Sequence, residues 1–290
     1  MNLIDVLRES ASLLIAATFI LGLLVGSFLN VVILRLPRIL EREWRNSARE
    51  ILELGPEPQT EPAGLVLPPS SCPACGHRIR PWENIPLLSW LLLRGRCSGC
   101  GTAISIRYPL VELTAGVLSA VIAWKFGWGP ELAAGLLLTW SLIALSGIDF
   151  DHHLLPDAIT LPVLWLGLLL SLVPVFSDPR SAIIGAIAGY LSLWTVYHLF
   201  RLITGKEGMG YGDFKLLAML GAWLGWAALP LIILLSAAVG AVVGIIMILA
   251  LGRDRQLPIP FGPYLAGAGW LALLWQDELV NLYLRWSGLG

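Results

Sequence analysis

Charged residues are scarce in this sequence. Asp, Glu, Lys and Arg make up 13% of its 290 residues, whereas a soluble domain carries about 25%. Hydrophobic residues reach 57%, and the mean hydropathy is +0.76. This composition excludes an ordinary soluble domain and indicates a protein that lies in a membrane. The net charge of −1 carries no signal for nucleic acid, and no such partner is expected.

Two familiar site patterns are also missing. No H-E-x-x-H pattern occurs, and the neighbouring side chains of His152 and His153 point in different directions, so a metal is not expected there. No Gly-rich turn follows a strand-like segment, so no ordinary nucleotide pocket is predicted. Any catalytic or cofactor chemistry must therefore rest on other residues.

Long apolar runs fill most of the chain, and about 20 such residues cross a bilayer as a helix. They predict an all-α polytopic membrane protein with about eight spans. The boundary between the sixth and seventh rests on 227–230, and one long helix there would give seven spans. The first run has no basic segment before it and no cleavage site after it, so it is expected to remain as a helix. The predicted spans are 11–34, 107–126, 130–148, 156–176, 180–200, 213–228, 229–251 and 261–283.

The distribution of basic residues predicts the topology. If 35–107 is cytoplasmic and eight spans alternate, fifteen of the 19 Lys and Arg residues lie on the cytoplasmic side. This bias follows the positive-inside rule and places both termini outside. Three domains are expected: a first helix at 1–34, a cytoplasmic insert at 35–106 and a membrane core at 107–290. Within the insert, 41–54 predicts a short surface helix.

All four cysteines lie in the insert, as two C-x-x-C pairs that are each followed by glycine. Gly76 and Gly101 would let each loop turn its backbone N–H groups toward the thiolates. Two such knuckles suit a tetrahedral, structural zinc site, which would also stabilise an insert too small for a core of its own. Disulfides or spare thiols are the alternative, which a reducing cytoplasm disfavours. The predicted zinc ligands are Cys72, Cys75, Cys97 and Cys100.

Two acidic sites stand at the ends of predicted spans, and both fall on the cytoplasmic side. Asp149 ends the third span, and Asp213 begins the sixth after a run in which every other residue is glycine. Acidic groups in membrane helices are costly and mark functional sites. Two nearby carboxylates tend to share one proton, so that one acts as base toward water and the other as acid. This pair predicts an aspartic peptidase, supported by a loop of Gly210, Tyr211, Gly212 and Lys215.

Other interpretations of these residues remain open. Asp151 and Asp157 are equally suited to facing solvent or to capping the next helix after Pro156. A membrane Asp also serves as a proton relay in transporters, although such sites prefer the bilayer midplane and broken helices. A thiol-redox protein would need its cysteines on the oxidising side.

Further motifs carry a resemblance to a known family. They are Gly26-Ser-Phe-Leu-Asn30 with Arg35-Leu-Pro37, the first cysteine knuckle after Pro69, Asn84-Ile-Pro86, Ser89-Trp90, Arg94-Gly95-Arg96, Arg107-Tyr-Pro109 with Glu112, and Gly-Tyr-Gly-Asp213. Together with Asp149, these motifs resemble the bacterial type IV prepilin peptidases, which are bifunctional leader peptidases and N-methyltransferases. The likeness runs over nearly the whole chain.

The resemblance implies substrates, a cofactor and a location. The substrates would be type IV prepilins and type II secretion pseudopilins, whose short basic leader is cut after a Gly at the cytoplasmic face of the bacterial inner membrane. The new N-terminal residue, commonly Phe, would then be methylated with S-adenosylmethionine. Glu83, Asn84 and Gly95 are the candidate residues for the methyl donor, with a purely scaffolding role as the alternative. A peptidase without methyl transfer is the second hypothesis.

Overall fold

The computed structural model describes residues 3–55, 64–251 and 259–287. Within these ranges the chain is helical, with no strand and two isolated β-bridges. Short 3₁₀ helices lie at Pro81–Asn84 and Trp226–Ala228. The α-helices are α1 (Leu3–Glu9), α2 (Ala11–Ile51), α3 (Leu88–Leu92), α4 (Arg107–Phe126), α5 (Pro130–His152), α6 (Asp157–Ser171), α7 (Pro179–Thr204), α8 (Tyr211–Leu224), α9 (Leu229–Leu251) and α10 (Gly262–Ser287).

The all-helical, multi-pass architecture predicted from the sequence is confirmed. Five helices in the described ranges are long and apolar enough to cross a membrane: Ala11–Ile51, Arg107–Phe126, Pro130–His152, Pro179–Thr204 and Trp226–Met247. Two further apolar helices, α6 and α8, have only 15 and 14 residues. The predicted count of eight spans is therefore not confirmed.

Helix α2 is longer than the predicted first span. It continues without a break for 41 residues to Ile51, with Pro37 buried inside it. Of the stretch 41–54, predicted as a separate surface helix, residues 41–51 instead form the end of α2, and 52–54 follow it. Its Glu, Arg, Ala and Leu residues are strong helix formers, so nothing after Pro37 ends the helix.

The sixth and seventh predicted spans are separate helices. Gly225 has φ of +79° and ends α8, donating its N–H to the carbonyl of Gly221 at 2.9 Å. A 3₁₀ turn follows, and α9 begins at Leu229. Glycine commonly ends a helix in this way because it accepts positive φ without strain. The break lies slightly earlier than 227–230.

By packing, the chain divides into two compact units, Met1–Trp128 and Gly129–Gly290. In the first unit, α2 and α4 approach closely at two glycines: a Cβ on Gly22 would lie 2.6 Å from the Ala115 carbonyl oxygen, and one on Gly26 would lie 2.7 Å from Cα of Glu112. Small residues allow such close backbone contact between membrane helices. The three-domain division made from the sequence stays a prediction.

In the second unit, α8 is the central helix. Every residue from Asp213 to Leu224 except Lys215 is buried. Gly185 of α7 packs directly on Gly221 of α8. The indole N–H of Trp223 donates to the carbonyl of Val163 in α6 at 2.8 Å. Helix α8 is therefore held from several sides, which fixes the acidic residue at its start.

Candidate active site

Asp149 lies in the last turn of α5. Its side chain is 5% exposed. The helix ends just beyond it, where His153 takes a left-handed conformation and donates its backbone N–H to the Asp149 carbonyl at 2.9 Å. The carboxylate Oδ2 accepts a hydrogen bond of 2.9 Å from the backbone N–H of Gly262. This donor fixes one carboxylate oxygen from outside the helix.

Asp213 lies in the first turn of α8. It is 7% exposed, and its backbone N–H donates to the Gly210 carbonyl at 3.3 Å. Gly212, the neighbour of Asp213, and Gly262, the partner of Asp149, both pack against Leu155, and the charge of Asp149 acts on the Asp213 carboxyl group. The two acidic residues singled out in the sequence are thus brought together in a single buried site. Such a pair favours a shared proton over two full charges.

Leu155 holds the two halves of this site together. A Cβ on Gly212 would lie 2.8 Å from Cβ of Leu155, and one on Gly262 would lie 3.0 Å from its Cδ2. One leucine side chain therefore packs against the start of α8 and the start of α10. Neither glycine has a positive φ, so the backbone conformation does not require glycine at these positions. The close contact with Leu155 does, because a Cβ would collide with it.

Gly262 is a site residue that sequence reasoning missed. It is the first residue of α10, and the first N–H groups of a helix have no partner within the helix. A carboxylate is well placed to accept from such a group. The signal in the sequence was Pro260-Phe261-Gly262-Pro263, a cluster of helix breakers just before an apolar segment.

The residues of the predicted supporting loop make different contacts near Asp213. Gly210 precedes α8 with ordinary extended backbone at φ −84°, a conformation that other residues also adopt. Tyr211 begins α8 and packs on Tyr197, with ring centroids 5.4 Å apart. Lys215 Nζ is 2.7 Å from both carboxylate oxygens of Asp157, which joins α8 to the start of α6. Asp157 therefore pairs with a cation rather than simply facing solvent.

The four cysteines form a separate cluster in the first unit. All are free thiols, and their Sγ atoms lie within 4.8 Å of one another. The Cys72–Cys100 and Cys75–Cys97 sulfur pairs are 3.9 and 4.0 Å apart, too far for disulfides of about 2.05 Å. Four thiolates at Zn–S distances of about 2.3 Å would be about 3.8 Å apart. The donor set therefore fits tetrahedral zinc.

The two cysteine knuckles have the same internal geometry. Gly76 and Gly101 have φ of +71° and +73°, as expected for the turns. Each donates its N–H at 2.9 Å to the carbonyl of the first cysteine of its pair. Hydrogen bonds from the side chain and backbone of Thr102 lower the pKa of Cys100 to about 6. The side chain of Cys100 in turn raises the pKa of Cys75 to about 12, so without a metal the cluster combines thiolate and thiol, and metal binding would release the remaining protons.

Two family models match this chain, one over each part. The family model described as Bacterial Peptidase A24 N-terminal domain matches residues 20–126, and that of the Type IV leader peptidase family matches 136–245. A protein of Pseudomonas aeruginosa is 57% identical over 288 residues, 99% of both chains. Proteins of Xanthomonas campestris and Aeromonas salmonicida are 54% and 57% identical, over 93% and 92% of this chain and 94% and 92% of theirs. No solved structure gives a significant match.

The chain belongs to the type IV leader peptidase family. It is therefore an enzyme, and the resemblance stated from its motifs is confirmed. Each of the three relatives bears the name prepilin leader peptidase/N-methyltransferase. Since the matches cover nearly all of both chains, both units of this family member have counterparts in those proteins.

Among the described residues of this peptidase, the cysteine cluster is the only group of three or more His, Cys, Asp or Glu side chains arranged to hold a metal. His152 and His153 end α5 beside Asp149 without forming such a group. The backbone N–H of His153 donates to the Asp149 carbonyl. The histidines therefore belong to the surroundings of the aspartate pair.

The three candidate residues for the methyl donor lie near the knuckles. Hydrogen bonds from the Ser98 hydroxyl at 2.6 Å and the Arg80 N–H at 2.8 Å, with His77 at 3.1 Å, lower the pKa of Glu83 to about 2. Gly95 has φ of +65° and packs under Trp90. Glu83 and Gly95 thus have clear scaffolding contacts. Asn84 instead lines a cavity of about 580 Å³ beside Arg78 and Arg80.

Proposed function

We propose that this peptidase cleaves the short basic leader of type IV prepilins, with Asp149 and Asp213 as its catalytic pair. The observation that carries the proposal is that two buried carboxylates, Asp149 and Asp213, lie at helix ends that pack against the same residue, Leu155. The names of the relatives support the substrate class.

The chemistry follows from the pair. One carboxylate removes a proton from a water molecule as its oxygen attacks the scissile carbonyl, and the other carboxyl donates a proton to the carbonyl oxygen. Collapse of the tetrahedral intermediate breaks the C–N bond and passes a proton to the leaving amine. The hydrogen bond from Gly262 orients the Asp149 carboxylate for this step. The ion pair between Lys215 and Asp157 holds the start of α8, and so positions Asp213.

The second proposed activity is methylation of the new N-terminus with S-adenosylmethionine, as the relatives' names suggest. The cavity of about 580 Å³ in the insert supports this proposal by its size, since small-molecule pockets have volumes of about 300–1,000 Å³. In the cavity beside Asn84, the guanidinium groups of Arg78 and Arg80 would pair with the carboxylate of the donor. Glu83 and Gly95 would shape this region through the scaffold.

The proposal extends to metal, substrates and orientation. Structural zinc at the four cysteines would hold the insert, and type II secretion pseudopilins would be substrates beside the prepilins. The positive-inside bias supports a bacterial inner membrane location with insert and aspartates facing the cytoplasm. A basic leader would then remain outside the bilayer while the apolar helix behind it stays in lipid.

The test is cleavage of a purified prepilin by wild type, Asp149→Asn and Asp213→Asn, each checked for folding. Each variant should lose about 100- to 10,000-fold in rate, the usual contribution of a general acid or base. With S-adenosylmethionine present, mass spectrometry of the wild-type product should show one added methyl group. Cleavage by both variants at the wild-type rate would refute the catalytic pair, and an unmethylated product would leave a peptidase alone.

A further inference from the structure

The short helix α3 carries three leucines on one exposed face. Leu88, Leu91 and Leu92 are 57%, 64% and 80% exposed. They stand at positions i, i+3 and i+4, which share one side of a helix. We call these three residues the leucine stripe. A surface that faces water rarely carries such a stripe of exposed leucines, so we expect the stripe to contact an apolar partner.

The opposite face of α3 is fixed to the insert. The Trp90 indole N–H donates to the carbonyl of Ile104 at 3.2 Å. Its ring covers Gly95, where a Cβ would lie only 2.9 Å from Cζ2. The backbone N–H of Gly95 in turn donates to the Trp90 carbonyl at 2.8 Å. Because of these contacts, α3 cannot rotate to bury the leucine stripe within the insert.

A hydrogen bond places the start of α3 beside the membrane helix α4. The backbone N–H of Leu87 donates to Oε2 of Glu112 at 2.9 Å, and the Glu112 side chain is buried. Glu112 is five residues after Arg107, the first residue of α4, and so lies about 7.5 Å along that helix at 1.5 Å per residue. Interfacial helices lie about 5–10 Å deep in the bilayer. With the bilayer boundary taken at Arg107, where the candidate span α4 begins, the start of α3 lies at the depth of an interfacial segment.

The surroundings of the leucine stripe match a lipid surface. Leu110 and Leu113 of α4, on either side of Glu112, are also exposed, as is normal for a helix that faces lipid. Arg94 and Arg96 follow α3 and are exposed. Arginines at the edge of an apolar segment extend their guanidinium groups to the phosphate level. The apolar surface and the flanking positive charge together fit phospholipid.

We infer that the leucine stripe is an interfacial anchor, immersed in the bilayer at the headgroup boundary, which holds the cysteine insert against the membrane. The inference rests on the membrane location of α4, and it does not depend on the catalytic roles proposed above. It assigns a lipid partner to a segment that serves neither the aspartate pair nor the cysteine cluster. The insert is then attached to the bilayer at α3 as well as through α2 and α4.

The test uses the full-length protein in nanodiscs of phosphatidylethanolamine and phosphatidylglycerol. The photo-reactive residue benzoylphenylalanine replaces Leu92 in one sample and Leu52 in a matched control. Leu52 is an exposed leucine at the far end of α2 in the same compact unit. After irradiation, mass spectrometry should find lipid adducts at position 92 and none above background at 52. Equal adducts at both positions, none at either, or adducts to a second protein at 92 would overturn the inference.

A second measurement does not need the photo-reactive residue. In nanodiscs, the Leu91→Gln and Leu92→Gln double variant should show faster amide hydrogen exchange across 85–93, while exchange in α4 stays as in wild type. Leu52→Gln should leave both segments unchanged. Unchanged exchange at 85–93 in the double variant would show that the leucine stripe does not lie in lipid.

Discussion

The backbone N–H of Gly262 donates a 2.9 Å hydrogen bond to Oδ2 of Asp149, across 113 residues of chain. The donor is the first residue of α10, so a helix terminus rather than a side chain orients the carboxylate. Such a terminus carries a partial positive charge, which stabilises an anion in front of it. The hydrogen bond thereby fixes Oδ2 of Asp149. The position of the carboxylate then depends on how closely the start of α10 approaches Asp149.

The first prediction concerns that approach. In Gly262→Ala, the new Cβ would lie 2.7 Å from Oδ2 of Asp149 and 3.0 Å from Cδ2 of Leu155. Because the φ of Gly262 is not positive, alanine adds no backbone strain and the effect comes from the contact alone. We expect kcat for prepilin cleavage to fall by about tenfold or more with little change in KM, the pattern of a disturbed reacting group.

Gly267→Ala is the matched control for this variant. Gly267 lies in the same helix, and a Cβ there meets nothing within 4 Å. Alanine favours a helix over glycine by up to about 1 kcal/mol, so this variant should be as active and at least as stable as wild type. Equal kcat for both variants would contradict the role given to Gly262.

Sequence reasoning singled out the aspartates and the cysteines, whose roles stay predictions, but not the backbone partner of Asp149. Asp149 and Asp213 could be predicted because a carboxylate at the end of an apolar span is rare and costly. The four cysteines could be predicted because the spacing of thiol ligands is regular. Gly262 acts through an N–H group that every residue except proline carries, so the helix breakers at 260–263 indicate where a helix starts but not a hydrogen bond to Asp149. The length of α2 was missed because the polarity change near residue 35 ends a span but not a helix.

A second prediction separates two glycines of the supporting loop. A Cβ on Gly212 would lie 2.8 Å from Cβ of Leu155, whereas one on Gly210 would meet nothing closer than Oδ2 of Asp213 at 3.7 Å. Cleavage should therefore fall by about tenfold or more in Gly212→Ala, since overpacking typically costs about 1–3 kcal/mol. Gly210→Ala should stay close to wild type. Parallel rate assays and thermal unfolding in detergent measure both, and a Gly210→Ala variant as impaired as Gly212→Ala would contradict this account.

A third prediction tests the ion pair between α6 and α8. Lys215→Met removes a cation that touches both oxygens of Asp157 at 2.7 Å. A partly exposed pair contributes up to about 1 kcal/mol, so stability should change little. The cleavage rate should fall by about fivefold, the ratio that corresponds to about 1 kcal/mol, because the pair positions the turn that carries Asp213.

The charge-swapped protein, with Lys215→Asp and Asp157→Lys together, provides the decisive comparison. It should recover part of the lost rate, since an opposite pair again joins α6 and α8. As a control, the exposed pair of Arg201 and Glu207, 3.9 Å apart, can be removed by Arg201→Met without a change in rate. No recovery in the swapped protein would mean that Lys215 acts in some way other than through Asp157.

The last prediction concerns the cysteine cluster. Four sulfur atoms within 4.8 Å would repel or oxidise if left as free thiolates, and a divalent metal removes both problems. Elemental analysis of the purified protein should give about one zinc per chain, the content of a single four-cysteine site. Cys72→Ser should lose the metal and expose 72–105 to proteolysis.

Chelation separates a structural metal from a catalytic one. Because the cysteines supply four ligands and leave no open position for water, the metal would not take part in cleavage. Brief treatment of the folded protein with EDTA should therefore leave the cleavage rate unchanged, while prolonged removal of zinc loosens the insert. If cleavage stops at once on chelation and returns with added zinc while the fold stays intact, metal chemistry would replace the aspartate pair as the source of the attacking water.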